Sequence, residues 1–221
     1  MSKYDDEVIE IIKDGPYIAY NVKLMLNSKG EEMETSSRMS LCRCGHSDDH
    51  PFCDGSHMDV DFDDEKKEDR VSDKVIKYEG ENITIYDNRG ICSHIGYCTN
   101  LLPKVFDKTR FKWIDPDAAD AKDIIRICEL CPSGALSYSL PGGERVKKVG
   151  NQRKKIRISP GPYGKNGPFD IEGGIKLKSD RDHAPECEEH YSLCRCGASK
   201  NKPFCDGSHR FYENYKESEE K

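Results

Sequence analysis

Four side chains recur at fixed spacing in two places along this chain. Cys42, Cys44, Cys53 and His57 lie in LCRCGHSDDHPFCDGSH, and Cys194, Cys196, Cys205 and His209 lie in LCRCGASKNKPFCDGSH, 152 residues further on. Thiolates are soft, strongly donating ligands that select zinc, copper(I) or iron–sulfur clusters, and imidazole suits zinc or iron. The ligand set by itself allows a Cys3His zinc site. The spacing, C-x-C-x8-C-x3-H, departs from the C-x2–4-C knuckles and distant second pair of common zinc fingers. A CxC pair followed by a Cys and a His one helical turn apart suits two metal atoms side by side, one held by each pair.

The residues between the donors agree with that chemistry. Pro51-Phe52 and Pro203-Phe204 lead stiffly into the third cysteine. Asp54 and Asp206 are placed to cap the helical turn that brings the histidine back beside its cysteine. Gly55 and Gly207 keep bulk away, and Arg43, Arg195, Ser56 and Ser208 are candidate hydrogen-bond donors to sulfur or to the ligands.

A third group of cysteines lies between the copies, in CSHIGYC at 92–98 and CELCPSGAL at 128–136. Cys131-Pro132 reads like the last ligand of a bacterial-type ferredoxin loop, which carries C-x2-C-x2-C before it. That frame places Cys92 first, Ile95 second and Cys98 third, so the second ligand is missing. Cys128 either faces the same site or continues an apolar face with Ile124 and Ile127 as a buried thiol. His94 either ligates or only sits on the loop. Cys187 has no counterpart in the first copy and is expected to be a non-ligand thiol. His46, His50, His183 and His190 lie in polar stretches, where exposure and no role are expected.

The elements that must position these groups are short. GPYIAYNVKL at 15–24 and GPFDIEGGIKL at 167–177 each run from a Gly-Pro turn into an alternation that predicts a strand, each beginning 27 residues before its first motif cysteine (Gly15 to Cys42, Gly167 to Cys194). KVIKY and NITIY around EGE predict a hairpin. Asp115-Pro116-Asp117 opens a segment whose Ile124, Ile125 and Ile127 predict a helix face ending near Cys131-Pro132. DVDFDDEKKEDR at 59–70 and PGGERVKKVGNQRKK at 141–155 read as charged linkers, the second leading to a strand-like IRI at 156–158. The domains are therefore placed at 1–72, 73–140 and 141–221.

Composition sets the same frame. With 35% hydrophobic and 34% charged residues among 221, one large core is hard to build, and several small stapled domains fit better. Eleven cysteines, an odd count without a secretory signal, favour metal ligation in a reducing compartment over disulfides. A net charge of −6 with interleaved signs gives no field for nucleic acid, and no run of apolar residues is long enough for a membrane span. A cytoplasmic protein with no nucleic-acid or membrane partner is expected.

CDGSH at 53–57 and 205–209, each with its upstream CRCG, resembles the CDGSH iron–sulfur domain family, to which the mitoNEET-type proteins belong. The resemblance implies a [2Fe–2S] cluster in each copy, with the CxC pair on the inner iron and the last Cys with His57 or His209 on the outer one. It also implies that the copies pair within one chain, giving a monomer with internal pseudo-twofold symmetry. ICSHIGYC, NLLPKVFD, Trp113 in KWIDPD and CPSGAL together resemble the divergent single-cluster ferredoxin-like domain over roughly 80–140. That likeness, to a family often described as 4Fe–4S, implies Cys92, Cys98 and Cys131 as ligands; with Ile95 in place of the second cysteine, three ligands suit a [3Fe–4S] cluster, or a [4Fe–4S] cluster whose fourth iron is labile unless Cys128 or His94 captures it. The fold expected is α+β: small β-rich CDGSH units paired as an intramolecular pseudo-dimer, with an inserted ferredoxin-like α+β domain.

No Ser/His/Asp arrangement, phosphate loop or dinucleotide fingerprint can be placed, so no enzyme is expected. Three clusters in a small chain read most directly as a soluble one-electron carrier serving a redox partner protein. The runner-up is a cluster donor to an apo-acceptor, or a redox or pH sensor, because an imidazole ligand protonates where a thiolate does not. A structural zinc protein is the third reading.

Overall fold

The computed structural model describes residues 3–147, 152–160, 167–181 and 183–211. The strands expected after the two Gly-Pro turns form at Tyr17–Tyr20 (β2) and Phe169–Glu172 (β9), each flanked by further short strands, among them the one foreseen at 156–158. Val8–Ile11 (β1), Met25–Leu26 (β3) and Arg38–Leu41 (β4) surround β2, while Lys155–Ile158 (β8), Lys176–Lys178 (β10) and His190–Leu193 (β11) surround β9. The elements missed are two to four residues long, below the length at which alternation is a signal.

The two copies do not make separate sheets. One sheet runs β10-β1-β2-β4 and the other β11-β9-β8-β3, so each copy lends one short strand to its counterpart. These exchanged strands are the parallel pairs: Val8 pairs with Lys176, and Met25 with Ile156. The inner faces merge into one core in which Ile9, Tyr17 and Leu41 of the first copy meet Ile156, Phe169 and Leu193 of the second. The pairing of the copies as a pseudo-dimer is built into this shared core. At the pseudo-axis Cys44 and Cys196 form an antiparallel bridge. A Cβ on Gly45 would fall 2.4 Å from the Cys196 carbonyl oxygen, and one on Gly197 would fall 2.3 Å from that of Cys44. Glycine after each CxC pair is required by this close approach.

The hairpin forms as Val75–Glu79 (β5) and Thr84–Asn88 (β6). After the short helix Tyr97–Leu101 (α1) and the expected helix Ala121–Glu129 (α2), a third strand, Leu136–Ser139 (β7), pairs with β6. A second core of Ile83, Ile85, Phe106, Ile114, Ile124 and Ile127 lies between sheet and helices. The molecule is thus mixed α/β, mostly strand with few helices. Among the described residues, no helix is long and apolar enough to cross a membrane.

The segment 59–70 is a correction to the expected free linker. Asp64 is buried and ion-paired with Arg43 at 3.3 Å and Arg181 at 3.1 Å, and the Lys67 amide donates to the Lys200 carbonyl at 2.8 Å. A buried carboxylate needs paired cations, and the fold supplies two. In the second expected linker, residues 148–151 lie outside the described residues, while Arg145 packs over Tyr86 and pairs with Glu186 at 2.8 Å.

Candidate metal centres

Each repeated motif is closed onto the end of the strand before it. The Cys42 amide donates to Pro51 O at 2.9 Å and the Cys53 amide to Ser40 O at 2.9 Å; in the second copy Cys194 donates to Pro203 O at 2.8 Å and Cys205 to Ser192 O at 2.9 Å. The His50–Pro51 and Lys202–Pro203 peptides are both cis. The turn carrying each histidine, Ser56–Met58 and Ser208–Arg210, is 3₁₀ rather than α-helical, and glycine rather than aspartate occupies its N-cap. Asp54 and Asp206 still hold the turn: one carboxylate oxygen accepts from Ser56 or Ser208 at 3.0 Å, and the other accepts from Asp48 at 2.7 Å or Lys200 at 2.9 Å.

The donors come together in pairs. Cys42 and Cys44 Sγ are 3.7 Å apart, and Cys194 and Cys196 Sγ are 3.9 Å apart. Cys53 Sγ lies 3.4 Å from His57 Nδ1, and Cys205 Sγ lies 3.5 Å from His209 Nδ1. A tetrahedral metal with bonds of about 2.3 Å to thiolate and 2.0–2.1 Å to imidazole sets an S···S edge of about 3.75 Å and an S···N edge of about 3.5 Å. Each pair therefore fits one metal atom. Each motif thus presents its four donors as two pairs, an arrangement that a two-metal group would fit. All four donors of the second copy face one narrow cleft.

Electrostatics set the two thiols of each CxC pair apart. Within the first CxC pair the shared hydrogen bond pushes the Cys42 thiol up to about 12 and holds Cys44 down at about 7; in the second pair Cys194 is the lowered member and Cys196 the raised one. Burial lowers His209 to about 4, which leaves its imidazole neutral as ligation requires. The Gly207 amide donates to Cys205 Sγ at 3.4 Å.

Two site neighbours escaped the sequence reading. His50, expected to be exposed, is buried next to Cys42, and Lys202 in the same slot of the second copy is buried and lowers Cys194. The signal was a basic residue before Pro-Phe-Cys in both copies. His190, also expected to be exposed, is buried with its Nδ1 3.3 Å from Cys187 Sγ. Arg43 donates to Ile12 O at 3.0 Å and Gly15 O at 3.2 Å besides pairing with Asp64, and Arg195 donates to Gly167 O at 3.2 Å. These arginines hold the Gly-Pro turns against the metal loops. Ser56 Oγ donates to Asp54 at 2.7 Å.

In the middle unit, Cys92 follows the turn after β6, Cys98 lies in α1 and Cys131 follows α2. All three line one small cavity together with His94 and Ile95. Cys128 does not line it and packs into the second core with Ile124 and Ile127. Burial raises the Cys92 thiol and pushes Cys98 up to about 11, so the thiols are protonated until metal displaces the protons. Arg89 lines the same cavity, stacked 4.5 Å from the Trp113 ring centre and paired with buried Asp87 at 2.6 Å, and puts positive charge beside the sulfurs. The His94 amide donates to Cys92 Sγ at 3.4 Å.

Comparison with known proteins bears on the motifs. The chain is 43% identical over 61 residues, 28% of its length and 80% of theirs, to the proteins called "Uncharacterized protein YjdI" of Escherichia coli strain K12 and of Escherichia coli O157:H7. No solved structure matches significantly. The family model described as the iron-binding zinc finger of CDGSH type matches residues 14–58 and again 166–210, and that described as the divergent 4Fe-4S mono-cluster matches 78–141. The fold that pairs the two motif copies, their two four-donor sites and the three-cysteine cavity thus belong to a chain that joins two CDGSH domains around a divergent 4Fe-4S mono-cluster domain.

Proposed function

We propose that this iron–sulfur protein is a soluble, monomeric, multi-cluster one-electron carrier, not an enzyme, which works in the cytoplasm with a redox partner protein. Cys42, Cys44, Cys53 and His57 hold one [2Fe–2S] cluster, and Cys194, Cys196, Cys205 and His209 hold a second. Cys92, Cys98 and Cys131 of a ferredoxin-like unit hold a [3Fe–4S] cluster, or a [4Fe–4S] cluster with a labile fourth iron. The observation that carries this reading is the pairing of donors: two edges of metal-ligand length in each CDGSH copy, and the inner cysteines of both copies bridged across the pseudo-axis. Bound there, such clusters take up and give up single electrons. The protein supplies ligand geometry, amide hydrogen bonds to sulfur and burial, which set potential. A second reading, release of a cluster to an apo-acceptor, is favoured at the first site alone, where His57 is part-exposed.

Iron and sulfide analysis of anaerobically purified protein tests the proposal, together with electron paramagnetic resonance. About seven or eight irons per chain and a reduced [2Fe–2S] signal are expected. Colourless, zinc-loaded protein would refute it. Transfer of a cluster to an apo-acceptor without reversible reduction would favour the second reading.

A further inference from the structure

The two CDGSH sites are alike in sequence and unlike in surroundings. His209 is only 3% exposed, whereas His57 is part-exposed beside Met58, itself 74% exposed. The middle unit packs against the second of them. At Gly207, in the turn carrying His209, an added Cβ would fall 2.4 Å from Cδ2 of His94, so the His94 ring presses on that turn. At the equivalent Gly55 the nearest atom is Cε of Met58, at 3.4 Å, from the same turn. His94 follows Cys92 by two residues and lines the middle cavity. Asn201, in the loop of the second site, fixes the contact by donating to Gly90 O at 2.8 Å and Asp73 at 2.7 Å. At its inner end the second site meets the first through the Cys44–Cys196 bridge.

We propose, resting on the electron-carrier reading above, that the three sites form a linear relay in which the second CDGSH site is the obligatory middle position and the His57 end of the first is the port to an external acceptor. The route runs from the Cys92 loop through His94, Gly207 and His209, then through Cys196 and Cys44 to His57. One electron enters the middle unit from a one-electron donor and leaves at His57 to a one-electron acceptor such as a haem protein. Each transfer oxidises one site by one electron and reduces the next by one, with no bond made or broken and no proton moved. The duplicated motif thereby takes two roles, an internal station and an outlet, because the inserted unit, with the 59–70 segment, packs against the second copy.

Pulsed electron paramagnetic resonance on the holoprotein, poised partly and then fully reduced, measures the coupling between each pair of sites. In the wild-type protein the middle-to-first coupling is expected to be the weakest of the three, a test that needs no variant. Cys205→Ser should remove the coupling felt by both remaining sites, while Cys53→Ser should leave the middle-to-second coupling as in wild type. Mixed with ferricytochrome c as the acceptor, reduced Cys205→Ser should oxidise its first site and strand the electron of its middle site. A middle-to-first coupling as strong as either other, or prompt oxidation of the middle site in Cys205→Ser, would overturn the linear order while leaving the carrier reading intact. Absence of iron and sulfide from the wild-type protein would overturn both.

Discussion

At the scale of single residues, the difference between imidazole and thiolate sets what each CDGSH site can do. Thiolate adds negative charge to an iron centre and disfavours an added electron, whereas a neutral imidazole does not. Replacing His57 or His209 by Cys is expected to lower the potential of that centre alone, by redox titration, and an unchanged potential would exclude that histidine as a ligand. Asp170 gives a second expectation. It is fully buried, accepts from Ser192 Oγ at 2.6 Å, and burial raises its carboxyl to about 6. A raised folded-state value means that the native state binds more protons than the unfolded chain between pH about 4 and 6, so the stability it contributes is complete below about 4 and is lost as pH rises through 6. The first copy has Ile18 at this position, so the carboxylate is not needed by the architecture. Asp170→Asn is expected to stabilise the protein by up to about 3 kcal/mol at pH 8 and about half that at pH 5, read by urea unfolding.

At the scale of elements, the backbones approach each other closely where the two CxCG loops cross. Gly197 has φ 76° and would place a Cβ 2.3 Å from the Cys44 oxygen, whereas Gly30, at φ 85°, has nothing within 4 Å. Both conformations cost an L-residue about 1–2 kcal/mol. Only Gly197 also forces two backbones apart. Gly30→Ala is therefore expected to lose about 1–2 kcal/mol in urea unfolding, and Gly197→Ala more than this, with loss of iron from both CDGSH sites. Equal losses would mean that the crossing is loose.

At the scale of the whole molecule, the exchanged strands make the CDGSH halves interdependent. β3 completes the sheet of the second copy and β10 that of the first, and the hydrophobic core between them draws on both. A fragment of residues 1–72 exposes the apolar face that the second copy covers. It is expected to run as a homodimer in light scattering, with a second molecule supplying the missing strand. A monomeric, iron-loaded fragment would show that each half is self-sufficient.

The close pairs Cys42–Cys44 and Cys53–His57, and their counterparts in the second copy, were legible in the sequence because each loop closes over a short span and its spacing is set before any distant contact is made. The α2 face of Ile124 and Ile127 and the β5–β6 hairpin were legible for the same reason, since their periodicity is local. The place of Cys128 was not, because one helical face serves equally for a core and for a ligand, and only the tertiary packing shows it buried beside Ile124 and Ile127. Nor could sequence show that 59–70 is docked by buried Asp64, that β3 and β10 are exchanged, or that His209 is covered and His57 is not. Strand pairing and burial depend on partners far along the chain, and a repeat written almost identically twice carries no mark of which copy the inserted unit will cover.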